Sequence, residues 1–254
     1  MRLDLWHQLF PSVPVFALLC LAVLLAGTIR SFTGFGGGLV LAPLFSLFMA
    51  PADMVVVVLL LNLVTSVQSL PGVWKTTDWR LVVSLSIPAL FGIPFGVMVI
   101  EWLDPNLIRR LLGLIVASLA AIMLVGWTYQ GPRGRFQNIV VGVCSGVLTA
   151  IAGVGGPPLV LYLLSDKSIS PIVLRSFFMM YFAVAQVTTL GFFLYKGAIN
   201  TQQMVYTASF VPVYLVSTVL GTWLFVRALR GSADLIKRLS LWFLLAVGMV
   251  TLAI

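Results

Sequence analysis

Gly34-Phe35-Gly36-Gly37-Gly38-Leu39-Val40-Leu41 and Gly153-Val154-Gly155-Gly156-Pro157-Pro158-Leu159-Val160-Leu161 are the two stretches on which the fold of this chain turns. They begin 119 residues apart, close to half of a 254-residue chain, and each interrupts an apolar region. Glycine weakens a helix and leaves backbone N–H groups uncovered. Each interruption therefore opens polar backbone at membrane depth, which is tolerated only where protein or a wet cavity surrounds it. Duplicated segments whose interrupted helices meet near the midplane are the pattern of secondary transporters.

The remainder of the chain supplies the membrane setting. It is 61% hydrophobic and 9% charged, with a mean hydropathy of +1.12. No soluble domain of this size hides so much apolar surface, so lipid is the solvent for much of it. Lys and Arg total 15 against 7 Asp and Glu, a net charge of +8. These basic residues lie scattered in short loops instead of on one face, as the positive-inside rule requires, and nucleic acid is not an expected partner. Cys20 and Cys144 lie in apolar segments without CxxC spacing and read as small buried hydrophobes. His7 has no His or Cys neighbour, so neither a metal site nor any cofactor is expected. Arg2 is a thin n-region, and the run from Pro14 to Ile29 is long for a signal-peptide core; a retained first span is expected.

Apolar segments run over 14–30, 39–49, 54–71, 80–100, 107–128, 137–151, 157–165, 171–195, 203–226 and 237–254. Five precede the connector Gly131-Pro132-Arg133-Gly134-Arg135 and five follow it. The expected fold is an all-α polytopic membrane protein of two inverted five-segment repeats, 1–130 and 131–254, forming one integrated membrane domain. Segments 39–49 and 157–165 are shorter than the ~20 helical residues a bilayer takes. Following the glycines directly, they read as broken or re-entrant helices, crossing fully or returning. Further matches support the repeat: Pro51 with Pro171, Val73-Trp74-Lys75 with Leu194-Tyr195-Lys196, and Pro88 to Gly96 with Pro212 to Gly221.

Alternating loops place Lys75, Arg80, Arg133, Arg135, Lys167, Arg175, Arg227, Arg230, Lys237 and Arg238 on one side. The other side holds Arg2, Arg109, Arg110 and Lys196, with Arg30 beside the first break. The richer side should be cytoplasmic, which puts both termini on the non-cytoplasmic side of the inner membrane.

The glycine breaks carry the candidate chemistry. GFGGG has Leu39 where a dinucleotide fingerprint needs glycine, and no Gly-Lys-Ser/Thr phosphate loop exists. Pro157 and Pro158 suit a first helical turn. A helix starting there, and its counterpart starting near Gly38, would aim free N–H groups and dipole ends at the breaks, an anion site built from Gly34, Gly36, Gly37, Gly153, Gly155 and Gly156. The alternative is close helix packing by small residues. Arg30 and Arg175 are membrane-embedded cations that either serve a substrate or snorkel to an interface. Asn62 and Ser66 share one helix face, Gln186 lies on the matching helix, and Thr33 and Thr149 flank the breaks. These polar groups orient a ligand or bond helix to helix. Asp4, Asp53, Asp78, Glu101, Asp104, Asp166 and Asp234 all fall near segment ends, so no deep carboxylate offers a proton relay. Ser145-Gly146 has only the distal His7 as an imidazole base, which excludes a serine hydrolase and argues against an enzyme.

With these residues assembled, the chain resembles the TauE/SafE sulfite-exporter-type transporters. The resemblance rests on the paired motifs Gly34–Gly38 with Pro43 and Gly153–Gly156, on Asn62-Leu63-Val64-Thr65-Ser66, and on Asp78-Trp79-Arg80 leading into the next helix. The second half departs from the first, with Pro157-Pro158 for Gly38-Leu39 and Tyr162 where Pro43 would fall. The resemblance implies a cytoplasmic-membrane protein moving small anions such as sulfite or sulfonates. The expected partners are a small anion and the lipid bilayer, with a homo-oligomer left open. Transport of a neutral or cationic solute, and a non-transporting scaffold, are the rival readings.

Overall fold

The computed structural model describes residues 13–125, 129–163, 166 and 168–229; His7 and the expected segment 237–254 lie outside them. Among the described residues there are nine α-helices and one 3-10 turn. They are α1 (Val13–Thr33), α2 (Gly37–Ser46), α3 (Pro51–Val73), α4 (Trp79–Trp102), α5 (Pro105–Val125), α6 (Arg135–Ala152), α7 (Gly156–Leu163), α8 (Pro171–Tyr195) and α9 (Thr201–Ala228). Six of them, α1, α3, α4, α6, α8 and α9, are long and apolar enough to cross a membrane. At 1.5 Å per residue, the 10 residues of α2 and 8 of α7 reach about half of the ~30 Å hydrocarbon layer.

Helix boundaries follow local chemistry. α3 begins at Pro51, ahead of the expected 54, because proline fits the first helical position, where its missing N–H has no partner to lose. α8 begins at Pro171 behind a Ser170 cap for the same reason. α9 starts with a capping box, Asn200 accepting from the Gln203 backbone and Gln203 reaching back. Asp78 caps α4 by accepting from the backbones of Arg80 and Leu81.

Side-chain contacts set the directions of the helices. Phe16, Gly27 and Phe32 of α1 meet Phe210, Ser217 and Phe225 of α9 in matching order, so these two run together. Asp53, Asn62 and Thr65 of α3 likewise meet Gln203, Tyr214 and Thr218 of α9. α8 runs the other way: Ser66 lies by Gln186, and Thr76 by Ser176. Gly92 and Gly96 of α4 meet Val143 and Val147 of α6, so those two are parallel. α4 follows α3 through a tight turn closed by Trp74 on Trp79, 4.7 Å between ring centroids, and so opposes it.

Contacts also fix where each short helix ends. Phe16 at the start of α1 stacks on Phe210 at 5.7 Å, and Phe45 near the end of α2 meets the same ring, tilted, at 5.6 Å. Tyr162 near the end of α7 donates to Asn138 Oδ1 at 2.7 Å, beside the start of α6. The connector closes over that corner, with the Arg133 guanidinium against the paired rings of Tyr129 and Tyr162 and 3.6 Å from the Asp166 carboxylate. Hydrogen bonds from the Ser168 side chain and backbone hold the Asp166 carboxyl below its usual value, helped by Arg133.

Glycines set the closest helix approach. Gly92 and Gly96 on α4, and Gly142 and Gly146 on α6, are each spaced by four, the small-xxx-small pattern of membrane helix packing. A Cβ on Gly146 would lie 2.9 Å from Ala89 Cα. Leucine at Gly146 should therefore separate α4 from α6 and cost ~1–3 kcal/mol or more. A detergent-solubilised variant melting at the wild-type temperature would contradict that packing role.

Candidate functional site

Both breaks are three residues long, Gly34-Phe35-Gly36 and Gly153-Val154-Gly155. Gly34 (φ +87°), Gly36 (φ +92°) and Gly153 (φ +65°) take backbone angles that side chains disfavour, which is why glycine stands there. The two breaks abut: a side chain on Gly38 would run into the Gly153 carbonyl. The N-termini of α2 and α7 thus meet in the interior, each with first-turn N–H groups lacking an intrahelical acceptor.

Arg30, on the last turn of α1, is 2% exposed and sits against this junction. Its Nη2 donates to Ser66 Oγ at 2.8 Å. With the Gln186 amide turned so that Oε1 accepts from Nη2 at 3.1 Å, Gln186 Nε2 donates to the Phe182 carbonyl and to Ser66 Oγ, both at 3.2 Å. That orientation leaves neither amide atom facing its like. Ser66 Oγ in turn donates to the Asn62 carbonyl at 3.1 Å. Tyr214 donates to Asn62 Oδ1 at 2.6 Å. The Arg30 side chain also lies over the Phe182 ring, 5.6 Å from its centroid, a cation–π contact.

What this network lacks is a counter-charge. Arg30 Nε is buried with no hydrogen-bond partner. Among the described residues no carboxylate comes within 4.0 Å of the guanidinium. A buried cation surrounded by neutral groups is costly in the low-dielectric interior unless an anion joins it.

A cavity of ≈ 10 Å³ lies beside Arg30, lined by Gly36, Gly38, Leu39, Asn62, Thr149, Gly153, Val154, Gly155, Gly156, Phe182 and Gln186. That is room for about one water molecule. Of the expected site residues, the structure brings Arg30, Gly36, Asn62, Thr149, Gly153, Gly155, Gly156 and Gln186 to this one cavity, and Ser66 to Arg30. Gly37 lies just behind, where a Cβ would come within 2.7 Å of Tyr214 Oη and 3.0 Å of Arg30 Cδ.

Three expected residues sit differently. Thr33 Oγ1 binds the carbonyls of Ile29 and Phe35 at 2.8 and 2.6 Å, so its hydroxyl shapes the turn. Gly34 packs against Arg175 and Phe178, away from the cavity. Arg175, 9% exposed, does not reach for an interface. Its Nε donates to the Ser31 carbonyl at 2.7 Å, its Nη2 to Thr222 Oγ1 at 3.1 Å, and it lies 4.6 Å from the Phe225 centroid, tying α8 to α1 and α9. Thr149 lines the cavity, but its hydroxyl donates to the Ser145 carbonyl at 2.8 Å, as helical threonines commonly do.

Phe182 and Tyr214 were not among the expected site residues. Phe182 stands four before Gln186, hence on one helix face with it, a signal available in the sequence. Tyr214 reaches Asn62 from 152 residues away, and no spacing rule connects them. Among the described residues, no three His, Cys, Asp or Glu side chains group closely enough to hold a metal ion.

Comparison with known proteins adds to this geometry. The family model described as Sulfite exporter TauE/SafE matches residues 19–251. A probable sulfite/organosulfonate exporter TauE of Cupriavidus necator is 32% identical over 209 residues, covering 79% of this chain and 80% of that protein. No solved structure matches.

Proposed function

The chain belongs to the TauE/SafE sulfite exporter family, and from that premise we propose that it carries a small sulfur-containing oxyanion, sulfite or a sulfonate, across the cytoplasmic membrane. The observation that carries this reading is the buried Arg30, with no carboxylate beside it among the described residues, at the meeting point of two helix N-termini. The substrate oxyanion takes the missing counter-charge, with Arg30 Nε and the first-turn N–H groups at Gly36, Gly37, Gly155 and Gly156 as donors. Ser66 and Gln186 hold the guanidinium in place. Asn62, with its oxygen occupied by Tyr214, offers its amide Nδ2.

Transport proceeds by alternating access between two inverted repeats with re-entrant glycine-led hairpins. Supporting this, helices that correspond by sequence, α1 with α6, α3 with α8 and α4 with α9, run in opposite directions. They also exchange partners, α1 packing on α9 as α6 packs on α4. A cavity admitting about one water cannot pass a four-atom oxyanion, so the halves must move to open it. Lys75, Arg80, Arg133, Arg135, Arg175 and Arg227 fall at one end of the bundle, which supports that end as cytoplasmic.

An inside-negative potential favours anion exit by ~2.3 kcal/mol per charge per 100 mV, so export needs no coupling ion. Purified protein in liposomes loaded with sulfite should release it faster as the interior is made more negative, while a neutral analogue is unaffected. Sulfite release indifferent to the imposed potential, or absent, would reject the proposal.

A further inference from the structure

The electrostatics of the cavity restrict the charge of its occupant. Among the described residues, Arg30 is the one ionisable side chain in the cavity wall; the rest is glycine backbone, Asn62, Thr149, Gln186 and apolar surface. Arg175 does not add to it, since its guanidinium is held by Ser31, Thr222 and Phe225. A monoanion cancels the single buried cation. A dianion leaves one negative charge to be met by the N–H dipoles of the two helix starts alone. Its desolvation cost grows as the square of its charge, while its attraction to one guanidinium only doubles.

We infer that the Arg30 cavity selects monovalent oxyanions: hydrogensulfite and sulfonates are carried, whereas the sulfite dianion and sulfate are excluded. This rests on the anion-transport reading above and specifies the charge state it takes. Hydrogensulfite loses its proton near neutral pH, so sulfite flux falls as the medium turns alkaline. A sulfonate, the anion of a strong acid, keeps its charge and its flux.

The groups around Arg30 do not supply that pH dependence themselves. α3 brings Asn62 and Ser66, α8 brings Phe182 and Gln186, α2 brings backbone, and α9 brings the Tyr214 phenol through Asn62. Tyrosine ordinarily titrates near pH ~10, above the range in question.

Full-length protein in liposomes, exchanging labelled methanesulfonate, tests this directly. Unlabelled sulfate should compete at least ~10-fold more weakly than unlabelled methanesulfonate. Sulfite flux should decline from mildly acidic to mildly alkaline pH in step with the hydrogensulfite fraction, with methanesulfonate flux level. Equal competition by sulfate overturns the inference, as does a methanesulfonate flux that declines in parallel with that of sulfite. Absence of any methanesulfonate or sulfite flux overturns the transport reading instead. Thr149 occupies the second-half position matching Arg30 at the 119-residue offset. Thr149→Lys adds a second cation to the wall and should move competition toward sulfate. If that variant does not fold, the wild-type competition and pH arms decide the matter.

Discussion

Replacing Arg30 with methionine is expected to reduce anion flux by roughly 30- to 4,000-fold, the equivalent of losing a buried charge partner worth ~2–5 kcal/mol. The bundle itself should stay as stable as wild type or become more so. Methionine keeps most of the stem that packs beside Phe182 and Gly37. It also removes an uncompensated buried cation, whose desolvation opposes folding. Ser66 and Gln186, deprived of the guanidinium, retain their bond to each other and to the backbone. Arg30→Lys should recover part of the flux, since it restores charge but not the planar fork. Flux measured in liposomes beside a thermal melt in detergent separates the outcomes. Flux and melting temperature falling together in Arg30→Met would make Arg30 a packing residue and remove the anion site.

The second large effect concerns the contact between breaks. Gly38→Ala should lose both stability and transport, because its methyl meets the Gly153 carbonyl, backbone that cannot rotate out of the way. Overpacking of that kind costs ~1–3 kcal/mol or more. Gly156→Ala, at the matching helix start, should behave almost as wild type, since its methyl has nothing nearer than 3.8 Å, at the rings of Phe35 and Phe182. Gly156→Leu extends toward those rings and the cavity, so it should still insert in the membrane yet carry no anion. Melting curves and flux for the three variants check this ordering. Gly38→Ala matching Gly156→Ala in both measurements would mean that the helix starts do not abut as described.

The glycine runs could be read from the chain because clustered glycines interrupt an apolar stretch in two places at a matching offset. Their consequence, two short helices of 10 and 8 residues, followed from the length of the apolar run after each. Within the site, Asn62 and Ser66 were legible as one helix face, and Arg30 by its position next to a break. The role of Arg175 was not legible. Its sequence neighbourhood allows either snorkelling or a site, and only the approach of Ser31 and Thr222, 144 and 47 residues away, shows it tying three helices together. Thr33 was equally ambiguous, since whether its hydroxyl faces a ligand or its own turn depends on the backbone path through Gly34 and Gly36.

Sequence by itself determined the solvent, the helical content, the position of both breaks and the chemistry on offer near them. Hydropathy and glycine placement are local properties, and lipid leaves a backbone few ways to satisfy its hydrogen bonds. Tertiary structure alone decided which groups converge. Tyr214 on Asn62, Gln186 on Arg30, and the Gly38 start against Gly153 join residues more than a hundred positions apart. Such meetings depend on helix directions and close glycine contacts, which no periodicity along one chain encodes. The same convergence left Arg30 buried with no acid beside it among the described residues, a fact about three-dimensional surroundings that gives the cavity its sign.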